Sequence, residues 1–269
     1  MKQKFLFILL MFCTLGMAIG FFVVSVVRQS NVTSVQDIPQ GEKVEEEKNR
    51  PIVTSDEKKE SDENRSVERE PKKVRESSFL ENVPFTTQAP FGEWDDPVFQ
   101  NGCEEAALVM AEYWLTGKPL TKEIAKKEII ALSKFQKKTI GQSIDTSTED
   151  TEKLLREYYS VTTSTVQTNI TLLDIREALS SGVLVIVPAD GRKLHNPNYT
   201  QPGPTTHMLV IIGYDAEKQE FITNDSGTRN GKGYRYREDV LFEAIRDYPT
   251  GNHLPIPKIE KSMIIVRKE

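Results

Sequence analysis

The sequence predicts an α+β domain over residues 79–269, held at a membrane by one transmembrane helix and displayed on a charged stalk. Three observations carry this reading. The 269 residues fall into three charge regimes, the helical periodicities of the last regime come mostly before its strand patterns, and residues 215–219 read as a hairpin loop between two strong strands. Helices first and a mostly antiparallel sheet afterwards is the α+β pattern.

The first regime is the uncharged run that opens at Phe5 and closes at Val27. Its 23 residues would span about 34 Å as a helix, enough to cross a hydrocarbon core. A secretory signal is the alternative, but the apolar run continues past Gly20 into Phe21, Phe22 and Val23 and lacks an A-x-A cleavage site. Lys2 and Lys4 precede the run and Arg28 is the only base close behind it, so the positive-inside bias places the N-terminus in the cytoplasm and the rest outside the cell membrane. The lipid bilayer is thus an expected partner, through Phe5 to Val27. Cys13 lies within the span, follows Phe12 rather than a small residue, and reads as a lipid-facing small hydrophobe.

The second regime, residues 28–78, carries 24 charged side chains and no aromatic. It has too little apolar surface to offset ordering entropy and reads as a disordered stalk. The third regime holds 22 basic and 27 acidic side chains. An acidic balance without a basic cluster excludes nucleic-acid binding as the main task. Within it, helices are expected over 103–115, 121–134, 148–159, 172–180 and 238–247, with Ser147, Thr148 or Thr171 as N-caps. Strands are expected over 160–166, 183–187, 207–214, 220–224, 234–237 and 263–266.

An extracytoplasmic domain with one cysteine forms no internal disulfide, so Cys103 is either a buried free thiol or a nucleophile. Gly102 breaks the chain before it, and Ala106, Ala107, Met110 and Trp114 follow at helical spacing. Cys103 therefore sits in the first turn of a helix, where unpaired N–H groups and the dipole favour a thiolate. Glu104 and Glu105 oppose that, so a cationic partner is required. Of three histidines, His195 and His253 lie in stretches rich in Pro, Asn and Gly, whereas His207 opens the apolar run 208–214. A strand mouth is a rigid place for a base. The next strand ends in Asn224 and Asp225, either of which a hairpin could bring beside the imidazole to orient it. The residues offer no metal-ligand spacing and no phosphate-binding glycine loop, so no cofactor or metal is expected.

Val83-Pro84-Phe85-Thr86-Thr87-Gln88, then Gly102-Cys103-Glu104 with Met110, then the apolar run after Gly182, then Thr206-His207 with Gly213-Tyr214-Asp215, then Asn224-Asp225, together resemble papain-fold cysteine peptidase family 39, which includes bacteriocin leader peptidases and a membrane-anchored bacterial branch. The resemblance implies a papain-like fold, with the helical part carrying the cysteine and the antiparallel sheet the histidine. It implies Cys103 as nucleophile, His207 as general base, Asp225 as orienting residue and Gln88 as oxyanion donor. The leader peptidases carry Cys-Gly-Pro where this chain has Cys103-Glu104-Glu105, and their oxyanion glutamine lies only a few residues before the cysteine. Gln88 is fifteen residues before Cys103, and Gln100 is three before it. Residues 89–99, with Phe91 and Trp94, then read as an inserted loop on the cleft rim.

The function expected is an extracytoplasmic cysteine peptidase acting on a peptide or protein substrate through a Cys103 thioester. An acyl transferase and a non-catalytic binding module on the same fold are the alternatives. The topology has a direct check: protease added to intact cells should cut within residues 28–78 and release a folded fragment starting near Phe79. Cutting only after lysis would reverse the orientation.

Overall fold

The computed structural model describes residues 76–142, 144–251, 256 and 259–269. The expected transmembrane helix and the stalk up to residue 75 lie outside the described residues, as does His253. Among the described residues no helix is long and apolar enough to cross a membrane.

The chain runs β1 (Ser78–Phe79), α1 (Pro97–Gln100), α2 (Cys103–Thr116), α3 (Lys122–Ile140), α4 (Thr148–Tyr159), β2 (Ser164–Thr168), α5 (Leu172–Ser180), β3 (Leu184–Ala189), β4 (His207–Asp215), β5 (Glu220–Asn224), β6 (Tyr234–Arg237), α6 (Glu238–Ala244) and β7 (Ser262–Val266). All strand pairs are antiparallel, in the order β2-β7-β3-β4-β5-β6. The short β1 pairs with the far end of β4, at Gly213 and Tyr214. This is the α+β arrangement the sequence predicts.

Helix α2 is the hub. Ala106, Ala107, Leu108, Val109, Met110 and Ala111 are all fully buried, so the helix is apolar nearly all round rather than along one stripe, as a helix packed on every side must be. It lies against β4 and is flanked by α3 and α4. Strands β3, β4 and β7 are buried along almost their whole length, which explains why they read in sequence as continuous apolar runs. The core thus forms between the central helix and the middle of the sheet, and Cys103 and His207 stand where these two elements begin.

Caps set most helix starts. Thr121, Ser147 and Thr171 each accept a backbone N–H from the first turn with the side-chain oxygen, and Thr171 completes a capping box with Asp174. The departures from expectation have local causes. Helix α3 runs six residues beyond the expected 134, because nothing breaks it until Gly141, which takes a left-handed conformation. The strand expected at 160 starts at Ser164, because Ser160 serves as a left-handed C-cap for α4. Helix α6 stops at Ala244 rather than 247, because Ile245 turns away to bridge Ala189 at the end of β3. Residues 89–99, expected as loop throughout, include most of α1, which is capped by the Asp96 side chain with Pro97 as its first residue.

Two glycines permit close approaches that position the site. A Cβ on Gly213 would stand 2.7 Å from the Ser78 carbonyl oxygen, so only glycine lets β1 lie against the irregularity in β4 between Ile211 and Gly213. A Cβ on Gly231 would fall 1.8 Å from the Asp225 carbonyl oxygen. The bare backbone there allows residues 225–231 to fold back on themselves, closed by a bond from the Asp225 N–H to the Gly231 carbonyl.

Candidate active site

Cys103 is the first residue of α2 and carries only 5 % exposure. Gly102 caps this helix with no side-chain bond, and the first intrahelical bond runs from the Ala106 N–H to the Gly102 carbonyl. The Cys103 N–H is therefore among the donors left unpaired by the helix. His207 is the first residue of β4 and is 1 % exposed. Both residues line one cleft of about 940 Å³.

Asp225 is the residue that stands beside the imidazole. Its Oδ1 lies 2.8 Å from His207 Nε2 and also accepts the Gly227 N–H at 3.0 Å. Its Oδ2 accepts from the hydroxyls of Tyr199 and Tyr236, each at 2.5 Å, and from Asn196 Nδ2 at 3.2 Å. Burial alone would raise the pKa of this fully enclosed carboxyl. The histidine charge and the hydrogen bonds from His207, Tyr199 and Tyr236 outweigh it and hold the group below the usual carboxylate range. An ionised carboxylate accepts only, so Nε2 carries a ring proton, and whenever the ring has a single proton Nδ1 keeps the lone pair. Asn224, the other candidate from sequence, is used elsewhere: its amide donates to the Pro84 carbonyl and accepts the Gly233 N–H.

Gln88 also lines the cleft. Its backbone N–H donates to the Ser226 carbonyl, and its Nε2 donates to the carbonyls of Phe99 and Gln100, each at 3.0 Å. In this state the amide hydrogens are spent on the turn between α1 and α2, while Oε1 is buried without a hydrogen-bond partner. Gln100 lies on the rim of the same cleft and is exposed. Trp94 lines the cleft, whereas Phe91 is 52 % exposed and sits under the Lys126 ammonium. His195 is exposed, with a positive φ in a loop, away from the cleft lining.

The sulfur departs from the expectation of a cation-stabilised thiolate. The Cys103 thiol donates to Glu104 Oε2 at 3.0 Å. Burial first, and then the Glu104 charge, push the thiol well above its ordinary pKa. Both glutamates after the cysteine are buried rather than solvated at the helix end. Sequence reasoning saw their charges but not this contact, since only the fold turns Glu104 inward. It also missed Tyr199, Tyr236 and Asn196. The strict alternation of Tyr234-Arg235-Tyr236-Arg237 was a usable signal, because it places both tyrosines on one face of β6.

Among the described residues no group of His, Cys, Asp or Glu side chains is arranged to hold a metal ion. The cleft thus brings together a cysteine at a helix start and a histidine at a strand start, with a buried carboxylate bonded to that histidine. The chain belongs to the Peptidase_C39-like family, whose sequence profile matches residues 80–249. Among solved structures it is similar to a presumptive C39-like peptidase from Bacillus anthracis, at 15 % identity over 72 % of this chain and 98 % of that one, with a TM-score of 0.42, a likeness too slight to add to the argument. No curated protein matches it.

The depressed pKa of Asp225 makes a signed prediction for stability. Its contribution is fully present above the unfolded carboxylate value of about 3.9 and is lost as pH falls through the lower folded value. Urea unfolding of wild type and Asp225→Asn should therefore show a stability gap that narrows as pH drops below about 3.9. A gap that stays constant would mean that Asp225 is not held as a carboxylate.

Proposed function

We propose that this chain is a cysteine peptidase, anchored by the segment from Phe5 to Val27 with its catalytic domain on the outer side of the membrane. The observation that carries the activity is the 2.8 Å bond between His207 Nε2 and Asp225 Oδ1, in the cleft that Cys103 also lines. A buried carboxylate with donors on both oxygens orders the ring so that Nδ1 is the basic nitrogen. The C39-like family assignment supports the same reading. The anchor rests on the sequence, from the uncharged span and the lysines before it.

The chemistry follows from the residue types. Nδ1 of His207 takes the thiol proton, and the sulfur attacks the substrate carbonyl to form an S–C bond. The carbonyl oxygen, now an oxyanion, is held by the Cys103 N–H and by the Gln88 amide, which must give up one of its bonds to the Phe99 or Gln100 carbonyl. The imidazolium returns its proton to the leaving amine as the C–N bond breaks, leaving a thioester. Water, deprotonated by His207, then attacks the thioester and releases a carboxylic acid and the free thiol. An amine in place of water would make the same site an acyl transferase.

A binding module without turnover is the second reading, and the observation that favours it is the thiol's bond to Glu104 rather than to a cation. Digestion of a peptide library by the full chain separates the two. Cleavage is expected, abolished in Cys103→Ser and reduced roughly 100-fold in Gln88→Ala, the usual loss for one oxyanion donor, while Gln100→Ala stays near wild type. Peptides retained by wild type and by Cys103→Ser but cut by neither would establish the binding module. A loss confined to Gln100→Ala would exchange the two glutamines.

A further inference from the structure

The mechanism leaves one buried acid at the sulfur without a role. Glu104 Oε2 accepts the Cys103 thiol, and its Oε1 accepts the Thr146 N–H at 3.2 Å and the Tyr248 hydroxyl at 2.9 Å. Glu104 and Tyr248 are both almost completely buried. Three donors from three parts of the chain thus converge on this carboxylate: α2, the segment before α4, and the segment after α6. The arrangement has three donors where Asp225 has five, and it binds the nucleophile and not the base.

The charges around it are all of one sign or neutral. Cys103 and Glu105 face it on its own helix, Asp145 from the segment before α4, and Tyr248 from the segment after α6, while His207 at the start of β4 shares the cleft with Cys103. Burial and the Glu104 charge raise Glu105 well above the carboxylate range. Burial and Asp145 raise Glu104 itself, against the opposing pull of its hydrogen bonds. Glu104 accepts the hydrogen bond from the sulfur.

A thiol can donate to one acceptor at a time. While it donates to Glu104 it does not donate to His207, and the adjacent negative charge disfavours ionisation of the sulfur. We propose that Glu104 is a brake on Cys103: as a carboxylate it holds the nucleophile as a neutral thiol turned away from the base, and its neutralisation releases that thiol to His207. This rests on the reading of Cys103 and His207 as nucleophile and base. Glu104 is a positioning residue in this account, acting on the substrate only through the sulfur. Two events would lift the brake: protonation of Glu104 in mildly acidic surroundings, or a substrate that draws the thiol across the cleft.

Glu104→Gln is the informative variant. Its amide oxygen still accepts from Thr146 and Tyr248, so the local packing is kept while the charge is removed. The readout is the rate of Cys103 alkylation by iodoacetamide against pH, in the full chain, resolved from Cys13 by peptide mapping. The variants are Glu104→Gln, His207→Ala and the double variant, and circular dichroism confirms folding. Wild-type Cys103 should show a midpoint above the free-thiol value of about 8.5. Glu104→Gln should lower the midpoint by about one unit or more, so that labelling near neutral pH is at least about tenfold faster. An unchanged or raised midpoint in Glu104→Gln would overturn the brake, and so would a wild-type midpoint below about 8.5, whatever the variant does. His207→Ala reads the underlying pair separately: in the Glu104→Gln background it should raise the midpoint again. If it moves nothing in either background, the pair fails while the effect of Glu104 stands.

Discussion

The Asp225 carboxylate is the interaction on which the arrangement of this domain turns. It accepts five hydrogen bonds, from His207 at the start of β4, Tyr236 on β6, Asn196 and Tyr199 in the connection before β4, and Gly227 in its own loop. An ionised group with no exposed surface is tolerated only when its lone pairs are occupied in this way. The requirement works in both directions. The carboxylate fixes the tautomer of His207, and its need for donors fixes the loop from 190 to 206 against the sheet. The absence of a side chain at Gly231 completes the enclosure, because the chain must pass within contact of the Asp225 backbone.

Much of this was legible in the sequence. Helices α4 and α5 and strands β5 and β6 have the predicted bounds, because their caps and their alternation are local signals. Cys103 and His207 stood out for a similar reason: each opens an element, and each is of a residue type scarce in this domain. What the sequence withheld depends on side chains meeting across the fold. Spacing could not choose between Asn224 and Asp225, since the choice follows from the register of β4 against β5 and from the turn closed by Gly231. Glu104 illustrates the same limit more sharply. As a residue in the first turn of a helix it reads as a favourable charge near the dipole's positive end, and its burial against Cys103 follows only from the packing of Thr146 and Tyr248 around it.

The site holds two buried acids with different partners: Asp225 bonds to the imidazole of His207, and Glu104 accepts the thiol of Cys103. In the proposed mechanism the first supports the base and the second restrains the nucleophile. Glu104 lies in the first turn of α2 and Asp225 directly after β5, so the two acids come from different elements of the fold. A thiol that is neutral and enclosed is also less open to oxidation than a free, exposed thiolate. Under the proposed brake, the sulfur becomes a good nucleophile only after proton uptake by Glu104 or after the substrate draws the thiol away from it.

The claim underneath all of this is that Cys103 attacks carbonyl carbon with the help of His207. A pool of peptide aldehydes of varied sequence, labelled with carbon-13 at the aldehyde position, tests it without requiring the natural substrate, because an aldehyde stops at the tetrahedral adduct. The account predicts a hemithioacetal carbon signal with the full-length wild-type chain, absent in Cys103→Ala and strongly weakened in His207→Ala. Aldehyde bound in the cleft with its carbonyl signal unchanged, in folded wild-type protein, would contradict it.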